Sequence, residues 1–207
     1  MDWIESLKDL YGSNEPILFK EIYAKLDVNR RESAHRLINE AIKENKLERF
    51  DYGVYYFPTK TMLGRSSLSS LKVVNKKYIT DGVDTYGFYT GETLMNKLGQ
   101  STQVPFVWEI STNNESTRGR LVNIGNQKVF LRKSRTEINN DNVKQLMLLE
   151  AFNLVEPKKQ KTEFKENVID YMKKNNLMPK DLLLFADIMP AKAIKNFISS
   201  EVMYAFT

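Results

Sequence analysis

The sequence predicts an α+β protein in two parts, and three observations carry that expectation. Three stretches with apolar residues at helical spacing fill the first 43 positions and run into an aromatic segment that turns at Asp51-Tyr52-Gly53. Strand-like runs follow between residues 104 and 132. From Asp141 onward the apolar spacing is helical throughout. These place a first domain at residues 1–61 and a second at 62–207, the latter mixed helix and β-ribbon up to residue 135 and helical from 141.

In the first domain Trp3, Ile4, Leu7, Leu10 and Tyr11 recur every three or four residues, predicting a helix that Gly12 and Ser13 end. After Pro16, the positions of Leu18, Ile22, Tyr23 and Leu26 mark a second helix, and Asp27-Val28 is the turn into a third. Asn29 and Glu32 match a capping box at the start of that third helix. Ala34, Leu37, Ile38, Ala41 and Ile42 share its inner face, which turns Glu32, Ser33, Arg36, Asn39, Glu40 and Lys43 outward. Residues 47–50 and 54–57 predict two strands around Gly53, with Pro58 ending the second. Helices followed by such a ribbon predict a winged helix-turn-helix.

In that fold the third helix enters the major groove of duplex DNA, where Arg makes two hydrogen bonds to guanine and Asn does likewise to adenine. Arg30, Arg31, Ser33 and Arg36 are the candidate base contacts, and Asn39 and Lys43 stand nearer the backbone. Arg49, Tyr52 and Lys60 lie where a wing would touch phosphate. Two other readings share these residues: a solvated charged face on an ordinary helix, and a winged helix that binds protein and no DNA.

A hydrophobic content of 42% supports a normal core, and the absence of cysteine excludes disulfides, thiolate catalysis and cysteine-ligated zinc. The N-terminus lacks a signal sequence and no apolar run spans a membrane, so a soluble protein of the cytoplasm is expected. The net charge of +5 is unevenly spread. Residues 1–60 carry ten basic against eleven acidic side chains, residues 61–135 eleven against five, and residues 136–207 ten of each.

Leu68, Leu71, Val74 and Tyr78 suggest a helix entered through the polar residues 66–70. Thr90 is placed to cap another through Leu94, Met95 and Leu98, with Gly99 as its stop. Residues 104–112, 120–124 and 128–132 predict strands, the last two joined at Gly125-Asn126. Arg118, Arg120, Lys128, Arg132, Lys133 and Arg135 gather on this ribbon. They suit three roles: bracing DNA phosphates, meeting an acidic protein, or keeping a sheet edge soluble.

Further on, Val143, Leu146, Met147 and Leu154 form one stripe of a helix whose other side holds Leu148, Leu149 and Phe152, so it is expected to be central. Pro157, Lys158, Lys159 and Lys161 read as a solvated linker. Thr162 would cap a helix with Phe164, Val168, Tyr171 and Met172 inward. Pro179 precedes the apolar run 182–189, and Pro190 starts a last helix through Ile194, Phe197, Ile198 and Val202.

Catalytic signatures are missing from the sequence. His35 is the only histidine, on the third helix, where a surface or DNA-proximal place is expected. There is no Walker loop and no dinucleotide-binding glycine pattern. Gly12-Ser13 with Asp27 superficially matches a nucleotidyltransferase core, yet position 29 is Asn where a second carboxylate would stand. Asp81 and Asp84 flank Gly82 as turn residues would. We assign no catalytic residue, metal or cofactor.

The helix-turn-helix, the stretch Leu47-Glu48-Arg49-Phe50-Asp51-Tyr52-Gly53-Val54-Tyr55-Tyr56-Phe57-Pro58, the stretch Leu98-Gly99-Gln100-Ser101-Thr102-Gln103-Val104-Pro105 and the ribbon Val122-Asn123-Ile124-Gly125-Asn126 resemble the AbiEi-type antitoxin and transcriptional regulator family. The resemblance covers residues 10–150, with Ser-Thr-Gln-Val-Pro and Ile-Gly-Asn its more specific parts. It implies a winged helix that binds inverted repeats upstream of its own operon and represses it. It also implies a C-terminal antitoxin domain, beyond residue 62, against a nucleotidyltransferase-like toxin encoded next door, in a type IV toxin-antitoxin system of abortive infection and phage defence. Neutralisation there is not expected to need a stable complex. The expected state is a monomer or weak dimer, cooperative on operator DNA.

Overall fold

The computed structural model describes residues 3–62, 64–156 and 162–206, so the stretch from Pro157 to Lys161 read above as a linker lies outside the described residues. The chain is a mixed α+β protein that divides into two compact units: Met1–Lys77 with Ile124–Asn126, and Tyr78–Asn123 with Gln127–Thr207.

In the first unit, α1 (Trp3–Tyr11) stops where Gly12 takes φ +72° and its N–H donates to the Lys8 carbonyl at 2.8 Å. Only Leu7 is fully buried; Leu10 faces solvent, so the inner stripe is narrower than the spacing predicted. A two-residue strand, β1 (Ile17–Leu18), precedes α2 (Phe19–Lys25), and α3 (Arg31–Lys43) follows. The hairpin is β2 (Glu48–Asp51) and β3 (Val54–Tyr56), within one residue of expectation. β3 lies between β1 and β2, antiparallel to both, with a bulge between Arg49 and Asp51. Leu7, Ile17, Ile22, Ala34, Ile38 and Leu47 are all removed from solvent and form the heart of this unit's core.

A second small hairpin pairs β4 (Lys60–Thr61) with β5 (Gly64–Arg65), and α4 (Ser70–Tyr78) follows. Val73 and Val74 are buried, whereas Leu71 is exposed. Residues 62–77 cluster with the first unit, a later boundary than the one drawn at residue 61 from sequence. The physical reason is on the α4 surface: Lys72 pairs with Glu15, and Lys76 pairs with Glu21 at 2.8 Å while covering the Tyr11 ring.

The second unit holds β6 (Gly87–Thr90), α5 (Gly91–Lys97), β7 (Val107–Thr112), β8 (Arg120–Ile124) up to Asn123, and β9 (Gln127–Lys133). Strand order is β6-β7-β9-β8. β6 and β7 are antiparallel, but β7 and β9 run parallel from Val107↔Lys128 to Thr112↔Lys133, with β8 on the outer edge. The strand predicted from residue 104 starts later, at Val107, because Pro105 interrupts it and Val104 and Phe106 stay exposed. Helices α6 (Val143–Leu154), α7 (Thr162–Lys174), α8 (Pro179–Leu183) and α9 (Ala191–Ser199) then lead to a 3₁₀ turn, Val202–Phe206. As expected, α6 is central: Leu146, Leu148, Leu149, Ala151 and Phe152 are buried. Phe152 packs edge-on against Phe164 at 5.7 Å and at a tilt against Phe197 at 5.3 Å. The buried Asn196 amide on α9 donates to the Phe152 and Val155 carbonyls at 2.8 and 3.0 Å, satisfying carbonyls at the end of α6 that the helix cannot.

The caps expected at Asn29 and Thr162 are corrected. The chain arrives extended through Arg30, which is the N-cap of α3 with no side-chain cap bond, so Asn29 and Glu32 form no capping box. A reciprocal bond of that kind occurs instead at α2, where the Glu21 carboxylate accepts the Leu18 N–H at 2.8 Å. Thr90 is the N-cap of α5, yet its hydroxyl donates across to Glu150 at 3.0 Å. Thr162 is the first helical residue of α7. Ile198, predicted inward, is exposed on α9.

Candidate functional site

Two groups of polar residues stand out, one in each unit. In the first, burial of Ala34, Ile38 and Ala41 fixes the rotation of α3 and leaves Glu32, His35, Arg36, Asn39, Glu40 and Lys43 along a shallow solvent-facing furrow. Arg30 and Arg31, at the start of the helix, are exposed as well. Ser33 is half-buried on the flank of the helix, away from that furrow. Acidic residues share the face: Glu40 reaches Arg36 at 3.9 Å, a weak pair since Arg36 remains 74% exposed. The His35 ring stacks flat on Phe19 at 4.4 Å, which fastens the outer surface of α3 to the start of α2.

At the hairpin tip Tyr52 is 78% exposed, and Arg49 lies 5.5 Å from its ring centre while donating to the Asp51 carbonyl. Gly53 takes φ +68°, which the turn requires, and its carbonyl accepts the Phe19 N–H at 2.9 Å. Below, Tyr56 donates to Glu48 at 2.6 Å and Arg65 pairs with the same carboxylate at 3.0 Å. The Tyr56 bond, against the opposing effect of burial and with help from Arg65, holds the Glu48 carboxyl below its ordinary range. Burial and then Glu48 push the Tyr56 phenol up to about 12. This cluster ties β5 to the β2–β3 hairpin, and Lys60 is exposed on β4 opposite Arg65. With residues 61–77 included, the first unit has fourteen basic against eleven acidic residues, reversing the slight acidic balance of residues 1–60.

The ribbon cations of the second unit do not act as one group. Arg120 donates twice to Glu115 Oε2, at 3.0 and 2.9 Å. Arg132 pairs with Glu109, and Lys128 sits over the Phe106 ring. Arg118, Lys133 and Arg135 have no carboxylate partner among the described residues and line a cleft of about 470 Å³ beside α6. The loop bearing Arg118 is held by Glu115, only 4% exposed, whose Oε1 accepts the Ser116 and Thr117 N–H groups at 3.0 Å and the Thr117 hydroxyl at 2.8 Å. Burial pushes this carboxyl up, but the Thr117 bonds and Arg120 outweigh it and hold it below its ordinary value. No sequence motif marks the cleft, because its residues come from separate strands, loops and helices.

Asp81 uses its carboxylate to accept the Val83 and Asp84 N–H groups at 3.0 and 2.8 Å around Gly82, which has φ +97°. Turn chemistry therefore accounts for this aspartate. Among the described residues no group of three His, Cys, Asp or Glu side chains is arranged to hold a metal, and no helix is long and apolar enough to cross a membrane. No protein-family model matches the chain, and no curated protein matches it at a significant level.

Proposed function

We propose that the first unit is a winged helix-turn-helix that binds inverted-repeat operator DNA and represses the protein's own toxin-antitoxin operon in the cytoplasm. Its second unit acts as the antitoxin against a nucleotidyltransferase-like toxin, without requiring a stable complex. One observation supports DNA reading above the rest: Arg30, Arg31 and Arg36 stand open to solvent at the start and outer face of one helix, in the unit that carries the β2–β3 hairpin. A helix presenting Arg in its first turns is equipped for bidentate contact with guanine, and Arg49, Tyr52 and Lys60 supply phosphate contacts from the hairpins. The antitoxin half rests on the resemblance of the Leu98 to Pro105 and Val122 to Asn126 stretches to the AbiEi-type family.

Gel shift with the DNA upstream of the gene tests the first half. Arg30→Ala, Arg31→Ala and Arg36→Ala are each expected to cost about 1–3 kcal/mol of specific binding. Equal affinity for a scrambled duplex would reject operator reading and favour a module that binds protein. Co-expression with the neighbouring gene tests the second half, the expected result being rescue from growth arrest by the full chain.

A further inference from the structure

We propose that the cleft beside α6 binds a nucleoside phosphate. The inference concerns the second unit alone and stands apart from operator binding by α3. Its volume of about 470 Å³ falls within the range of small-ligand sites. Two chemistries meet in its lining. Arg118 and Arg135 bring positive charge without carboxylate partners among the described residues, and Arg132 on the same sheet face as Phe88 is already matched by Glu109. Phe88, Leu146, Leu154 and Met189 supply an apolar surface, with Glu150 and Asn153 beside them on α6.

Each half of this lining narrows the ligand. Two unpaired cations, Arg118 and Arg135, against the single carboxylate of Glu150 favour an anion carrying more than one negative charge, as a di- or triphosphate does. Inorganic phosphate would leave the apolar lining uncovered. A duplex offers its phosphates on a convex ridge with its rings stacked inside, and so cannot fill a concave apolar site. A free nucleotide satisfies both halves: phosphates at the cations, and the ring against Phe88 and the aliphatic side chains. Glu150 then accepts a ring N–H or ribose hydroxyl, and the Asn153 amide, 3.5 Å from Glu150, offers a donor and an acceptor in reach of the same edge.

The sheet prepares the site. Phe88, Ser111 and Arg132 are successive register partners across β6, β7 and β9, so they lie on one face of the sheet. The Glu115–Arg120 clamp fixes the loop from which Arg118 enters.

Isothermal titration of the full-length protein with ATP, GTP, CTP and UTP tests the proposal, with adenosine, guanosine, inorganic pyrophosphate and a single-stranded oligonucleotide as controls. At least one triphosphate is expected to bind about tenfold or more tightly than pyrophosphate or its own nucleoside, a difference of about 1.4 kcal/mol. Arg118→Gln/Arg135→Gln, at exposed positions, is expected to weaken that binding at least about tenfold. Asn153→Ala should weaken the triphosphate while leaving pyrophosphate unchanged, which a nonspecific loss of fold would not produce. The proposal is overturned by any of four results: no triphosphate binds, pyrophosphate or nucleoside binds as tightly, the oligonucleotide alone binds, or the double variant binds as wild type. Failure of the gel shift leaves these titrations unaffected, so the two proposals fail separately.

Discussion

Replacing Glu115 by Ala removes every bond that fastens the 113–120 loop to its carboxylate. Oε1 loses two backbone N–H groups and the Thr117 hydroxyl, and Oε2 loses both contacts from Arg120. Hydrogen bonds to a charged acceptor contribute about 1.5–3 kcal/mol each when buried, and far less when the donor can turn to water. Arg120 is 54% exposed and rehydrates, so most of its share is recovered. The net cost should be about 2–3 kcal/mol, a fall of about 5–10 °C in the melting temperature of the second unit. The Glu115 carboxyl titrates in the folded state below its ordinary value of 4.5, so its contribution is complete above that pH and is lost as pH falls through the folded value. Thermal unfolding followed by circular dichroism should show the widest gap between wild type and variant near neutrality, closing in acid. A variant that melts with the wild type at pH 7, or a gap that stays constant into acid, would refute the reasoning.

Glu40→Gln removes both the partner of Arg36 and a charge repelling phosphate, so operator affinity should rise several-fold, read by gel shift at fixed salt, about 0.5–1 kcal/mol. Gly87→Ala would place a Cβ 2.0 Å from the Tyr78 carbonyl oxygen and 2.9 Å from that of Ser111, both backbone atoms. The expected cost is above about 3 kcal/mol, seen as a large fall in melting temperature or in soluble yield. Asn196→Leu leaves the Phe152 and Val155 carbonyls without their amide donor, and chemical denaturation should report a loss of about 2–4 kcal/mol.

The α3 stripe and the hairpin around Gly53 were readable because their cause is local: Ala34, Ile38 and Ala41 recur at helical spacing, and the turn needs a positive φ. β1 and β4 have two residues each, too few for any period to register, and they exist because β3 and β5 offer them partners. The β7–β9 pairing was equally hidden, since adjacency in sequence pointed to β8 and β9 as a simple ribbon and nothing local specifies a parallel neighbour. Charge gave the same lesson. Arg118 and Arg120 are two residues apart in sequence, yet Arg120 is committed to Glu115 and Arg118 opens onto the cleft. The capping residues show the same thing: Thr90 is the N-cap expected of it, yet its hydroxyl found a tertiary acceptor in Glu150, while Asn29 lies one position before the true N-cap.

The lysines of α4 also decide where this chain can be cut. A fragment ending at residue 61, the border read from the pattern of helices and ribbon, would strand Glu15 and Glu21 without Lys72 and Lys76 and uncover one side of Tyr11. It would also lose Arg65 and Ser66, whose contacts hold Glu48 and Tyr56 at the base of the hairpin. A truncation after residue 77 keeps all of these partners, and with them the surplus of basic over acidic residues that an isolated operator-binding fragment would need.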